Sequence, residues 1–407
     1  MDNIPPTMAD QPIFELREAE SWRDPFPMYR ALRDHDPLHH VEQGDYWVLS
    51  RFRDVFDAAI DFETFSSAEG LTHQYGEREA LGVENAPIVM LDPPEHTELR
   101  KLVSSGFTPR RVSDIEGDVR AFVRERIERV RGLADCDIVK ELIGPLPSFV
   151  VAHYLGVPQS DRALFDRWTD AIVAANAAGD LAGAGAAVVE LYEYFSGLIE
   201  LRRTEPGDDM VSALVAARIG EEREDEVPLI KILGFAFTMI TGGNDTTTGL
   251  LGGALDLLTR YPDQRALLID DPSRIPAAVE EYLRYLSPVQ GLARTVTRDV
   301  EMHGKVIPGG KKVMLLYGSA NHDDREFGSS AGQCDVTRRF RHMLSFSYGP
   351  HHCIGAAAAR LQARVTLEEL LKLCPDFVAD GEKGRYATGH FVRRHEELPF
   401  RTTGLDA

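Results

Sequence analysis

Apolar positions recur at spacings of three and four along most of the chain, the repeat of a helix with one buried face. The pattern predicts helices over Phe26–Asp34, Arg53–Ile60, Glu95–Ser104, Ser113–Arg131, Val139–Leu155, Ser160–Ala174, Ala187–Arg203, Asp209–Arg218, Val227–Arg260, Pro262–Asp270, Ile275–Leu286 and Ile354–Leu373. Start and stop signals agree: Pro93 and Pro94 precede one helix, Pro262 opens another and Pro288 follows a third. Strand-like runs are few, at Asp45–Ser50, Thr295–Met302, Lys312–Leu316 and Phe391–Phe400. There is no internal repeat and no long Pro/Gly/Ser linker. The expected fold is mainly α with a minor β part, in a single domain spanning residues 1–407.

Two stretches break the helical pattern. Within Val227–Arg260, the apolar runs Leu229–Ile240 and Leu250–Leu258 flank the polar segment "ITGGNDTTTG". Gly242 and Gly243 disfavour a helix interior by about 1 kcal/mol each. The Thr246 hydroxyl can divert to a backbone carbonyl and bend the helix. Asp245 is a charge in an apolar setting and needs a partner. A loosely packed surface turn would also show this pattern, but the apolar flanks argue for burial. The second stretch is Ala174–Ala187, where Gly179, Gly183 and Gly185 weaken an alanine-rich helix. One reading is an alanine-rich helix with two poor turns; the other, which the three glycines favour, is a mobile lid joint between two helices.

Charge narrows the function. Lys and Arg number 45 against 65 Asp and Glu, a net charge of −20. Nucleic acid and anionic membrane surfaces are therefore poor partners. The start "MDNIPPTMADQP" lacks a basic segment and an apolar run, and the longest apolar stretch, Ile232–Ile240, is too short to cross a bilayer. A soluble cytoplasmic protein is expected. Cys136, Cys334, Cys353 and Cys374 form no CxxC pair and no disulfide framework.

Cys353 stands in "SFSYGPHHCIG", residues 345–355. A structural thiol needs no flanking glycines. A zinc ligand would have His351 or His352 beside it, but paired ligand spacings are missing elsewhere. A nucleophile would need a base nearby in space. A fourth reading uses more of the residues. Gly349 and Gly355 suit a loop whose backbone approaches a flat ligand. The alanines at 356–359 begin a helix with little bulk, and a thiolate just before a helix N-terminus faces the positive end of its dipole. Phe346 could pack on the ligand's face.

The segment "FSYGPHHCIG" resembles the haem signature of the cytochrome P450 family, FxxGx(H/R)xCxG, at every fixed position. Ser347 stands where many bacterial members have glycine. Three further segments resemble the family in the same order. "EEYLRY" carries Glu281 and Arg284, the pair that the family completes with a third arginine, here Arg338. "GGNDT" resembles the oxygen-binding kink. "HTELR" places His96 and Arg100 four apart on one helix face, as in the family's propionate-binding motif, and His351 and Arg294 match two more propionate partners. The departures are local: the usual NRDP reads Asn321-His-Asp-Asp324, and Cys334 replaces a phenylalanine.

The resemblance implies haem b held between the long central helix and the cysteine-loop helix. Cys353 would be the iron ligand, Asp245 and Thr246 the proton-delivery pair, and Gly242 the space for dioxygen. Ile240, Val289, Leu292 and Phe391 match positions that look down on the haem, and substrate contacts are also expected from Leu71–Val89. Their apolar character implies a small hydrophobic substrate. No flavin or ferredoxin motif is present, so electrons would come from a ferredoxin, docking on basic islands formed by Lys101, Arg110, Arg111, Arg338, Arg339 and Arg341. The implied activity is hydroxylation by a monooxygenase. The competing readings are a haem-thiolate peroxygenase, a haem-based sensor, and a zinc-stabilised helical interaction protein built on His351, His352 and Cys353.

Overall fold

The computed structural model of the protein describes residues 14–81, 86–178, 185–219 and 225–402. One helix, Leu229–Arg260, runs through the core. Helices Pro145–Tyr154, Arg162–Ala178, Ile275–Leu286 and Ala356–Leu373 pack around it. Its own sequence explains the central position, since Ile232, Leu233, Phe235, Ala236, Leu250 and Leu251 are all buried, and a helix apolar on several faces must be covered on several faces.

Two of the expected helices are interrupted. The segment expected as Ser113–Arg131 becomes Pro109–Asp114 and Glu116–Arg131. The segment Val139–Leu155 opens with a π turn over Val139–Ile143, and the α-helix restarts at Pro145. Gly144 forms the joint, where a Cβ would lie 2.7 Å from the Val139 carbonyl oxygen. Proline supplies no amide hydrogen to an uninterrupted ladder, so the break falls beside it. The expected lid joint at Ala174–Ala187 centres on residues 179–184, outside the described residues.

The β part is small. One sheet has five strands in the order Leu38–Val41, Tyr46–Leu49, Lys312–Leu315, Leu292–Val296 and Phe65–Ser66. Lys312–Leu315 runs parallel to Tyr46–Leu49 and antiparallel to Leu292–Val296. The expected strand Phe391–Phe400 is two short strands, His395–Glu397 and Pro399–Arg401. Val289 and Leu292, just before and at the start of one strand of the sheet, line the same cavity as Cys353 in the loop before Ala356–Leu373. Among the described residues, no helix is long and apolar enough to cross a membrane.

Candidate active site

Cys353 opens into a cavity of about 300 Å³ with an overwhelmingly apolar wall. The cysteine loop is folded back on itself, with the Cys353 amide donating to the Phe346 carbonyl at 2.9 Å. Gly349 adopts φ 70°, and a Cβ there would lie 2.9 Å from the Ala59 carbonyl oxygen. Glycine is therefore required for conformation and for space. Gly355 has an ordinary φ, and its missing side chain leaves room beside the Cys353 sulfur. Burial raises the Cys353 thiol pKa, and the Gly355 amide, Arg100, Arg360 and the Ala356 amide oppose that rise. Phe346 lines the cavity, and the Arg360 guanidinium lies 4.6 Å from its ring centre.

One rim of the cavity is basic and under-satisfied. The rings of His96 and His351 stand 4.2 Å apart. His96 Nδ1 and His351 Nε2 are buried without a hydrogen-bond partner. Arg100 also lines the cavity and donates to the His352 carbonyl at 2.5 Å. Arg294 stands behind them, 3% exposed and donating to the Ala293 carbonyl. Burial, then Arg294, His96 and Arg100, push the His351 pKa down to about 2. Buried imidazole nitrogens without partners beside two guanidinium groups suit anionic oxygens at this edge.

The central helix forms the opposite wall. Met239, Gly242, Gly243 and Thr246 face the cavity. The Thr246 hydroxyl donates to the Gly242 carbonyl at 2.9 Å, the backbone diversion expected of this residue. A Cβ on Gly242 would meet no atom within 4 Å, so the glycine leaves open space. Asp245 is turned away from the cavity and buried, with Oδ1 2.5 Å from Arg394 Nε. Burial pushes its pKa up, and the charge and hydrogen bond of Arg394 work against that rise.

Val289 and Leu292 line the cavity, as do Ile88 and Val89 from the expected contact segment, in which residues 82–85 lie outside the described residues. Ile240 and Phe391 do not reach it. Ile240 is fully buried in the main core, one residue out of phase with Met239. Phe391 packs with the cluster around Tyr29 and Met314. The sequence reading missed Thr238, Met239 and Phe235 on the central helix, and Val150, Val151 and Tyr154 on a neighbouring helix. Helical phase could have found the first three, counting back from Thr246 in steps of three and four.

Glu281 and Arg284 lie below the cysteine loop and are joined by Arg338, whose Nε donates to Glu281 at 3.1 Å. Arg338 is thus committed to the interior, and Arg111 is paired with Asp208 at 2.7 Å. Lys101, Arg110, Arg339 and Arg341 remain exposed. Among the described residues, no three or more His, Cys, Asp or Glu side chains are grouped to hold a metal ion, which removes the basis of the zinc-stabilised reading.

Comparison with known proteins decides the family. A model of the family described as Cytochrome P450 matches residues 274–375. Cytochrome P450 130 of Mycobacterium tuberculosis is 58% identical over 397 residues, covering 96% of this chain and 98% of the relative. The chain belongs to the cytochrome P450 family. The solved structure of CYP109Q5 from Chondromyces apiculatus superposes with a TM-score of 0.85 at 34% identity, covering 95% of this chain and 97% of that one. CYP109E1 from Bacillus megaterium in complex with testosterone gives a TM-score of 0.84 at 31% identity, covering 94% of this chain and all of that one, at 100%. This P450 is a monooxygenase with haem b as its cofactor. The residues fit that cofactor: a thiol on one wall, an apolar slot, and orphaned imidazole nitrogens with arginines where carboxylates would lie.

Proposed function

We propose that this P450 hydroxylates a small hydrophobic molecule at a C–H bond, with electrons supplied by a ferredoxin in the cytoplasm. The observation that carries this reading is a single cavity walled by Cys353, by His96, Arg100 and His351, and by Gly242 and Thr246. When bound, haem supplies dioxygen activation, and a thiolate donor favours O–O cleavage.

The remaining roles belong to the chain. Cys353 would hold the haem iron through its sulfur. His96, Arg100, Arg294 and His351 hold the propionates, and Phe346, Gly349 and Gly355 shape the slot. Thr246 and the open space at Gly242 would position water and dioxygen in the same cavity. Asp245 passes protons to that water, and its burial raises its carboxyl pKa, against the opposing pull of Arg394. Ile88, Val89, Phe235, Met239, Val289 and Leu292 exclude water from the reacting carbon. This apolar wall, together with the testosterone bound by the related CYP109E1, makes rigid polycyclic compounds the first class to screen.

The test is a ferric spin-state screen of hydrophobic compounds, followed by product analysis with a ferredoxin, its reductase and NAD(P)H. A hydroxylated product that requires the reductase chain and disappears in Cys353→Ala supports the reading. A product formed equally well from hydrogen peroxide alone would replace it with a peroxygenase. A spectrum lacking the red-shifted Soret absorption of a thiolate-bound carbonyl adduct would remove Cys353 from its role.

A further inference from the structure

A second cavity, of about 370 Å³, lies on the other side of the central helix. It shares no lining residue with the haem cavity. Its wall is polar where that of the haem cavity is apolar. Gly249, Gly253, Asp256 and Arg260 come from the central helix, and Arg394 and His395 from the C-terminal segment. At roughly 30 Å³ per liquid water, it has room for several waters. His395 also lines it, 2% exposed and with its Nε2 buried without a hydrogen-bond partner.

Helical phase ties the two cavities together. Gly242, Thr246 and Leu250 follow one another on the haem side. Asp245 falls one residue earlier, on the face that continues through Gly249, Gly253 and Asp256 into the polar cavity. Its partner Arg394 lines that cavity and reaches Asp245 at 2.5 Å. The approach depends on Gly249, where a Cβ would lie 2.7 Å from the Arg393 carbonyl oxygen and 3.2 Å from the Arg394 Cβ. The Asp245–Arg394 pair therefore lies between the apolar cavity and the polar one.

We propose that the polar cavity is the proton inlet of the enzyme and that Arg394 is the positioning residue that holds the Asp245 carboxylate towards it. The proposal rests on the relay role given to Asp245 above. A proton from solvent passes along the cavity waters, each accepting one proton as it donates another, and the last water gives a proton to the Asp245 carboxylate. Asp245 then gives that proton to water held at Thr246 and returns to its ion pair. Arg394 stays charged throughout, and no electron moves. Burial of Asp245, which favours its protonated form, acts in the same direction.

The test uses haem-loaded protein supplied with NADPH, a plant-type ferredoxin and its reductase, with dioxygen uptake followed in H₂O and D₂O. Infrared difference spectra report protonation of the Asp245 carboxyl, with the band assigned through Asp245→Asn. Arg394→Gln should keep its haem content and its reduced carbonyl spectrum, lower uptake by about ten-fold and raise the solvent isotope ratio about two-fold, as loss of a proton-transfer aid does. It should also change the intensity of the Asp245 carboxyl band, and Arg394→Lys should restore both readouts. An isotope ratio and band unchanged in Arg394→Gln, or no recovery in Arg394→Lys, overturns the inlet. If Asp245→Asn slows uptake while Arg394→Gln is silent, the relay stands and the inlet falls. If Asp245→Asn takes up oxygen at the normal rate, the relay itself is lost.

Discussion

Glu281 and Arg284 face each other at 2.7 Å with neither side chain exposed at all. Arg284 uses its remaining donors on the carbonyls of Asn321, Ala331 and Gln333, and Glu281 accepts from the Asp335 amide and from Arg338. The pair is thus the knot that ties the irregular segment 321–338 to the helix Ile275–Leu286, and that segment leads directly into the cysteine loop. Removing Glu281 leaves the Arg284 charge uncompensated, and removing Arg284 leaves Glu281 with Arg338 alone and three carbonyls without that donor, each at a cost of about 3–5 kcal/mol. Arg284→Ala and Glu281→Ala are each expected to lose that much in urea unfolding and to accumulate without haem. A stable, fully haem-loaded Arg284→Ala protein would refute this role.

Gly242 presents a trade between stability and access. A Cβ there meets nothing within 4 Å, and glycine is worth about 1 kcal/mol less than alanine inside a helix. Gly242→Ala should therefore raise unfolding stability by about that amount while narrowing the space beside Thr246. Spectral titration of the ferric protein with imidazole should be little changed. Titration with a phenyl-substituted imidazole should weaken by about ten-fold, or 1.4 kcal/mol. Equal effects on both ligands would mean that the methyl does not enter the cavity.

Acid stability follows from buried histidines, of which His322 and His395 lie away from the haem cavity that holds His351. His322 lies between the rings of Phe26 and Tyr285, at 4.4 and 4.9 Å, and burial followed by Arg284 pushes its pKa down to about 3. His395 is pushed down to about 3 by burial and then by Arg393. The unfolded chain takes up these protons near pH 6.5, and the folded chain only near 3. Stability is therefore flat above the unfolded value and falls as pH drops from about 6.5 towards 3, by about 1.4 kcal/mol per pH unit for each histidine. Asp245 and Asp256, whose carboxyls burial pushes up, act in the opposite sense at the acid end. The cleanest measure is a difference: relative to the unaltered protein, His322→Gln should lose about 1 kcal/mol less stability between pH 6 and 5 in urea unfolding. An unchanged slope would refute the assignment.

Sequence pattern carried most of this architecture because most of it is local. Glu95–Ser104, Pro262–Asp270 and Ile275–Leu286 have the ends that periodicity and proline placement predict. The cysteine loop, His96, Arg100 and the Glu281–Arg284 pair could be found because each motif is short and contiguous. What could not be read depends on approach in space. Arg394 follows no spacing rule relative to Asp245, and only the fold brings the C-terminal segment against Gly249. Tyr154 and Val150 reach the cavity through helix packing that leaves no mark on their own segment. Ser347, where many relatives have glycine, keeps the positive φ of 57° and gains a hydrogen bond from the Tyr317 hydroxyl at 3.2 Å. The departure from the motif therefore keeps the backbone shape that the loop needs.

The docking face can be tested at one residue. Of the basic islands read in the sequence, Arg338 is spent on Glu281 and Arg111 on Asp208, so neither offers a free charge to a partner. Arg339 is exposed, with its donors on the carbonyls of Thr337 and Arg338, and the chain runs from there into the cysteine loop. A rim charge of this kind acts on encounter more than on residence, and salt screens it over a length of about 10 Å at 0.1 M. Arg339→Glu should slow reduction by an acidic ferredoxin about ten-fold at low salt, with the gap closing as ionic strength rises. Its unfolding stability and reduced carbonyl spectrum should match those of the unaltered protein. The same substitution at Arg338 should instead lower stability, because it places a second carboxylate against Glu281. If Arg339→Glu reduces at the normal rate at every salt concentration, the ferredoxin docks elsewhere.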